Sequence, residues 1–179
     1  MNKKSVLTFL LTSSFAIGFL TSTIAQSTDK SPVKFICNQS FDQKANNNLP
    51  TTFAWHSKGK TALIRWETNY FRNYSPQRRC EEVSPRFQQA YDNGTINLIT
   101  NGRMNNQPVI CTVREYGAAC DTLLMTLRPE DNSLQVLNLF KQIFSGRQEG
   151  PVKHSSGTPQ IYYKINIEEF LRNAPVEKK

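Results

Sequence analysis

The chain has 179 residues, with 22 Lys or Arg against 14 Asp or Glu and a formal net charge of +8 at pH 7. This length is typical of one domain with its own hydrophobic core. The positive excess favours anionic lipid, anionic glycan or an acidic protein as a partner, although it can equally serve only to keep a protein soluble. After the first 25 residues no apolar run approaches the roughly 20 residues that cross a bilayer, which excludes a multi-spanning membrane protein.

Residues 1–25 predict a secretory signal peptide. Lys3 and Lys4 form a positive start, Val6–Leu20 form an apolar stretch, and residues 23–25 (Thr-Ile-Ala) form a small-residue cleavage site. An uncleaved N-terminal anchor is the alternative, but the apolar stretch is short for a bilayer span. Cleavage would remove two lysines and no acidic residue, so the net charge would fall from +8 to +6 (8 − 2). We therefore expect an exported protein, which rarely meets nucleic acid, and we predict no nucleic-acid partner.

Hydrophobic periodicity predicts strands and helices that alternate along the chain. Asn101-Gly102 and Asn105-Asn106 are interpreted as turns, and residues 147–159 as a polar linker. This mixture, joined partly by hairpins, indicates an α+β fold: a single domain with a mainly antiparallel sheet packed with two or three helices and stabilised by disulfides. In chain order we predict a strand at 33–37, a hairpin at 51–66, a helical region from 76 to about 92, strands at 108–115 and 120–129, a helix at 131–146, a strand at 160–167 and a short helix beginning after Asn166.

The stretch "SPQRRCEEVSPRF" (75–87) predicts the start of a helix. Ser75 is a good N-cap, and a proline is favoured at the first helical position that follows it. Pro85 conflicts with one continuous helix, because an interior proline costs about 3 kcal/mol. Either the helix kinks there, or Ser84-Pro85 starts a second short helix with its own cap; we predict the second, two helical pieces that share one buried face. That face has spacings of three, four and three residues and consists of Cys80, Val83, Phe87 and Ala90.

The sequence contains four cysteines, Cys37, Cys80, Cys111 and Cys120. An even number in an exported chain predicts two disulfides, for which three connectivities are possible. A tight turn at residues 114–117 would place Cys111 opposite Cys120 across a hairpin and leave Cys37 with Cys80. This spacing is a hint and does not decide among the three. No C-x-x-C spacing indicates a thioredoxin-like motif or a zinc ribbon.

No set of residues has the pattern of a catalytic or metal centre, so we predict no catalytic residue, no metal site and no cofactor. Cys80 follows two arginines that would lower the pKa of a thiol, but its place on the apolar face favours a half-cystine. His56 and His154 are the only candidate bases, and neither lies in a recognisable catalytic motif. An extracytoplasmic enzyme, thiol-dependent or hydrolytic, is the first alternative to a binding protein. A small-ligand carrier with an apolar pocket beneath the 131–146 helix is the second.

Aromatic and basic residues concentrate between positions 55 and 79, a mixture that suits a protein interface or an anionic surface. The alternative is that the tryptophans belong to the core. The candidate interaction residues are Trp55, Arg65, Trp66, Tyr70, Phe71, Arg72, Tyr74, Arg78 and Arg79.

Five stretches together resemble the circadian oscillating protein family, the twenty-three-kilodalton class, of photosynthetic bacteria. They are "FIC" (35–37), "LIRW" (63–66), "RCEEVSPRFQ" (79–88), "NGTINLITNGRMNNQPVIC" (93–111) and "CDTLLMTLRPEDN" (120–132). The resemblance covers residues 33–145 and implies an exported domain with a rhythmic pattern of abundance. It implies no known reaction and assigns no catalytic or binding residue.

These observations predict a lead-in at 26–32, a single circadian-oscillating-protein-like domain at 33–172 and a tail at 173–179. We expect the protein in the periplasm or the thylakoid lumen, either dissolved there or attached peripherally to a membrane. We predict a non-enzymatic domain that binds another protein or an anionic envelope surface, and its oligomeric state is left open.

Overall fold

The computed structural model describes residues 32–67, 74–145, 147–153 and 158–177. The predicted signal peptide, residues 1–25, lies outside these ranges. The described strands are β1 (Lys34–Asp42), β2 (Asn47–His56), β3 (Gly59–Arg65), β4 (Leu98–Met104), β5 (Gln107–Thr112), β6 (Thr122–Thr126), β7 (Arg147–Lys153) and β8 (Gln160–Lys164). The described helices are α1 (Pro76–Asp92), α2 (Ser133–Phe144) and α3 (Ile167–Asn173).

The strands form two antiparallel sheets, which confirms the α+β prediction. The first sheet has the order β1-β2-β3, and the second has the order β6-β5-β4-β8-β7. Helix α1 packs against β1 and β2 of the first sheet and against β6 of the second, while α2 packs on β4, β5 and β8. The core therefore runs from the first sheet through α1 to the second sheet, and Phe35, Phe87, Ile110 and Phe140 all belong to it.

The two predicted disulfide bonds are present, and their connectivity is the one that the spacing hinted at. Cys37 on β1 is bonded to Cys80 on α1, with a Cα–Cα distance of 5.4 Å. Cys111 on β5 is bonded to Cys120, which precedes β6 in the same hairpin, with a Cα–Cα distance of 5.6 Å. The first bond joins two layers of the fold, whereas the second closes a single hairpin.

The outer edge of β1 is covered by α1 through the side chain of Gln88. Its amide oxygen accepts the Phe35 N–H at 2.8 Å, and its amide nitrogen donates to the Val33 carbonyl at 3.3 Å. An unpaired strand edge is a template for aggregation, and natural proteins commonly cover such edges. Gln88 thus replaces a neighbouring strand at this point, two turns of helix beyond the Cys37–Cys80 bond.

In the second sheet, the Asn101 side chain likewise bonds backbone groups of a neighbouring segment. The turn predicted at Asn101-Gly102 is therefore wrong. Both residues lie inside β4, and the Asn101 side chain donates to the Pro159 carbonyl at 2.9 Å and accepts the Ile161 N–H at 3.0 Å. The actual turn is Asn105-Asn106, where φ is 49° and 62°. Asparagine tolerates this left-handed backbone, which two-residue hairpins require, so only the second Asn pair forms a turn.

Part of the predicted polar linker is a strand. Residues 147–153 form β7, which pairs with β8 at the edge of the second sheet. An edge strand needs no buried face, so its sequence lacks the alternation that reveals other strands. Gly150 has φ of 67°, and a Cβ there would overlap the Tyr116 ring, so this position requires glycine.

Helix α1 is one continuous helix, so the predicted break at Pro85 is wrong. Pro85 lies on the exposed side of α1. The Glu81 carbonyl, which lacks its N–H partner because Pro85 has none, can bond to water there. On the buried side the Ser84 hydroxyl donates to the Cys80 carbonyl at 2.8 Å and lies 3.1 Å from Thr52 Oγ1. Packing of the shared apolar face between two sheets outweighs the local cost of the proline.

Replacement of Pro85 by alanine is therefore expected to raise the free energy of unfolding by about 1–2 kcal/mol. The substitution restores a backbone N–H for the Glu81 carbonyl, while the freer unfolded chain offsets part of the gain. Urea denaturation measures the change. Pro129→Ala is the matched control, because Pro129 is exposed and follows β6 outside any helix; we expect a change within about 0.5 kcal/mol there. A Pro85→Ala protein no more stable than the parent would contradict this account of α1.

Candidate functional site

Cys80 is not a reactive thiol. Its side chain is 0% exposed and is consumed by the disulfide with Cys37. His56 is buried at the end of β2 and contacts Thr61, whereas His154 lies outside the described residues. The thiol-dependent enzyme therefore loses its nucleophile. In the described ranges, no group of three or more His, Cys, Asp or Glu is placed to hold a metal ion.

The carrier alternative requires an apolar pocket beneath α2, and that space is filled by Leu137, Phe140 and Phe144 of the helix itself. A cleft of about 1010 Å³ lies instead between the C-terminal end of α2 and α3. Polar side chains line much of this cleft, including Asn97 and Lys164. Such walls suit water better than an apolar ligand.

The candidate interaction residues that the structure describes lie in two separate places. Trp55 and Arg65 are exposed on the first sheet, whereas Trp66, Tyr74, Arg78 and Arg79 lie at or near the start of α1. Tyr70, Phe71 and Arg72 lie outside the described residues. The sequence cluster between positions 55 and 79 therefore does not form one continuous surface among the residues described.

The second of these places is a small groove between α1 and the second sheet. It has a volume of about 280 Å³, and Trp66, Tyr74 and Arg79 contribute to its walls. Trp66 is buried and donates its indole N–H to Thr52 Oγ1 at 3.1 Å, so this tryptophan belongs to the core, as the alternative interpretation held. The Arg79 guanidinium lies 4.9 Å from the Trp66 ring centroid.

Electrostatic surroundings separate Arg79 from its neighbour Arg78. Burial lowers the pKa of Arg79, the Arg128 charge lowers it further, and Asp131 opposes both effects. Arg78 is exposed, lies 4.4 Å from the Tyr74 ring centroid and pairs with Glu82. Since Arg79 is half-buried against an aromatic ring, its role in this fold is packing as much as charge.

Trp55 stands in a row with two lysines across the first sheet. In the strand register Lys34 of β1 and Lys60 of β3 lie directly opposite Trp55 on either side. Trp55 is 49% exposed, and the Lys60 ammonium lies 5.4 Å from its ring centroid. Neither lysine forms an ion pair with another described residue. We call Lys34, Trp55 and Lys60 the Trp55 patch.

Arg65 lies on the same face of the first sheet, since it pairs with Thr51 and side chains two residues apart share a face. Its guanidinium contacts Asp42 at 3.4 Å and also pairs with Glu177. Arg65 is thus already engaged by carboxylates, unlike the lysines of the Trp55 patch.

Sequence reasoning identified Trp55 but missed both of its lysine neighbours. The hairpin turn at residues 57–58 would have placed Lys60 opposite Trp55 by counting outward from it. Lys34 could not be found in this way, because the register of β1 depends on pairing across a longer connection.

The fold places the protein in the class of disulfide-stabilised α+β domains. Two disulfides indicate an oxidising, extracytoplasmic setting for this α+β domain. No helix within the described ranges is both long and apolar enough to span a bilayer. The chain belongs to the circadian oscillating protein COP23 family, whose profile matches residues 34–172, and this confirms the resemblance in the sequence. No curated protein and no solved structure is significantly similar to the chain.

Proposed function

We propose that this protein is an exported, non-enzymatic domain of the periplasm or thylakoid lumen that attaches peripherally to an anionic membrane surface through the Trp55 patch. The observation that carries the proposal is the exposed indole of Trp55, placed in register between Lys34 and Lys60. The family name describes a rhythm of abundance, which concerns expression and does not bear on the chemistry of this surface.

An exposed tryptophan between lysines suits the boundary between water and lipid. Indole rings are enriched at membrane interfaces, where the ring is apolar and its N–H stays hydrated. Lysine stems lie along apolar surface while their ammonium groups reach anionic headgroups, each contributing about 1 kcal/mol near the membrane. The formal charge of +8, or +6 after removal of residues 1–25, adds a weaker long-range attraction.

A protein partner fits the same patch less well. Protein interfaces bury about 800 Å² on each side around a packed apolar centre, and lysine is depleted there. The Trp55 patch has one exposed aromatic side chain with a lysine on each side. A flat, charged lipid surface needs no shape complementarity, so it matches these features better.

Binding to phosphatidylglycerol-containing vesicles is the direct test, measured by co-sedimentation of the mature chain. We expect Trp55→Ala to weaken the partition coefficient about tenfold, because roughly 1.4 kcal/mol of apolar burial is lost. Lys34→Gln and Lys60→Gln should each weaken it about fivefold. High salt should weaken the binding of the unmodified protein, because exposed charges are screened.

Lys44→Gln is the matched control for the charge change. Lys44 is exposed in the connection between β1 and β2, at the opposite end of the sheet from Trp55. The Lys44→Gln substitution should leave vesicle binding within about twofold of that of the parent protein. Equal losses in Lys44→Gln and Lys34→Gln would mean that net charge alone drives binding, and the Trp55 patch would then have no special role.

A further inference from the structure

The C-terminal segment lies against β3 next to the Trp55 patch. We call residues 172–177 the strap; they comprise the last two residues of α3 and the segment that follows it. The Glu177 N–H donates to the Lys60 carbonyl at 2.8 Å, and the Thr61 hydroxyl donates to the Pro175 carbonyl at 3.2 Å. Because β3 is an edge of the first sheet, the first of these bonds uses a backbone carbonyl, that of Lys60, that would otherwise face solvent.

The docked strap also engages two cations of the first sheet. The Lys58 ammonium, at the turn between β2 and β3, donates to the Arg172 carbonyl at 2.6 Å. The Arg65 guanidinium pairs with the Glu177 carboxylate. While the strap is docked, neither side chain is fully available to an anionic surface.

His56 is connected to the strap through Thr61. Its Nε2 is 3.1 Å from Thr61 Oγ1, and the His56 side chain is buried. The Thr61 hydroxyl has one proton, which it donates to Pro175, so we assign the proton of neutral His56 to Nε2 as the donor to Thr61. Protonation would then add a second N–H and a positive charge at Nδ1, inside the fold.

We propose that protonation of His56 releases the strap from β3 and thereby strengthens attachment of the protein to an anionic membrane. This inference rests on the proposed function. Release of the strap frees the Lys58 ammonium from Arg172 and removes the Glu177 carboxylate from Arg65, so the surface beside the Trp55 patch gains positive charge.

The direction of the pH dependence follows from the surroundings of His56. Burial lowers the pKa of His56, and the Lys58 charge lowers it further. The elements around His56 carry Lys58 and Lys60 on the hairpin and Arg172 and Glu177 on the strap; of these, Lys58 is the one that shifts the imidazole. Release of the strap would open the imidazole to water and restore part of its ordinary pKa, so the released form would bind a proton more readily and docking weakens as the pH falls below about 6.5.

The experiment measures vesicle binding of the mature chain at about pH 7.5 and about pH 5.5, with phosphatidylglycerol in phosphatidylcholine as the probe. We expect the partition coefficient to rise about fivefold on acidification through the freed Lys58 ammonium, and further through Arg65, which loses Glu177 but keeps Asp42. In parallel, hydrogen exchange of the Glu177 amide, corrected for its intrinsic pH dependence, should accelerate at the lower pH.

Two histidine variants make the test specific, since the chain has only two histidines. His56→Gln keeps a donor for Thr61 but cannot become charged, so it should bind vesicles equally at both pH values. His154→Gln should retain the full response. Acid-enhanced binding that persists in His56→Gln, or Glu177 exchange that ignores pH in the parent, would overturn the inference.

Failure of the proposed function looks different from failure of the strap mechanism. Absence of vesicle binding at both pH values would reject membrane attachment, and with it the inference. Binding of equal strength at both pH values would reject only the strap mechanism. Because the parent protein alone distinguishes these outcomes, the test does not depend on the folding of a variant.

Discussion

Removal of the Cys37–Cys80 bond by the double substitution Cys37→Ala/Cys80→Ala is expected to lower the free energy of unfolding by about 4 kcal/mol. The two cysteines are 43 positions apart, and closing a loop of that length restricts the unfolded chain strongly. Alanine is preferred to serine because a serine hydroxyl at position 80 would be fully buried. Urea denaturation of the mature protein measures the change.

The second disulfide provides an internal comparison. Cys111 and Cys120 are 9 positions apart, so Cys111→Ala/Cys120→Ala should cost only about 2.6 kcal/mol by the same argument. The difference between the two double variants is more informative than either loss alone, because errors common to both cancel. Equal losses, or a larger loss for the short loop, would show that local packing rather than chain entropy determines what these bonds contribute.

Truncation of Phe87 to alanine is expected to lower the free energy of unfolding by about 3–5 kcal/mol. Phe87 is 1% exposed and lies where three elements meet: its ring centroid is 5.8 Å from that of Phe35 on β1 and 6.1 Å from that of Phe140 on α2. The cavity would be bounded by rigid secondary structure that cannot collapse to fill it. Since a domain of this size is stable by only about 5–15 kcal/mol, the variant should be close to unfolding at physiological temperature.

Phe41→Ala is the matched control for Phe87→Ala. Phe41 is a phenylalanine of β1 whose side chain is 55% exposed, so its removal should change the free energy of unfolding by no more than about 0.5 kcal/mol. Thermal and urea unfolding compare the two variants. A loss below about 1 kcal/mol for Phe87→Ala would mean that the aromatic contacts do not hold β1, α1 and α2 together.

Membrane attachment and domain stability depend on opposite faces of the first sheet. The inner side of the sheet packs on α1 through residues such as Phe35 and Ala54. The Trp55 patch has the opposite orientation, because alternate residues of a strand point to opposite faces. Substitutions in the patch should therefore affect vesicle binding and leave the unfolding free energy nearly unchanged.

Local patterns in the sequence were sufficient for much of the architecture. The spacing of Cys80, Val83, Phe87 and Ala90 predicted the buried face of α1, and each of these side chains is buried. The hairpin at residues 51–66 is also confirmed. Both depend on interactions between residues close in the chain, where helical or strand periodicity and turn chemistry are decisive. The boundaries proposed for the signal peptide, lead-in and tail stay predictions.

Only the tertiary structure decided the features that join distant parts of the chain. The cysteine pairing, the continuity of α1 through Pro85 and the use of Gln88 and Asn101 as strand partners all depend on packing between layers. The candidate site has the same dependence. The sequence identified Trp55 from its composition, but the placement of Lys34 beside it and of the strap against β3 requires contacts across 21 and more than 100 positions, respectively. Such contacts leave no periodic signal, since their free energy arises only when the whole fold has formed.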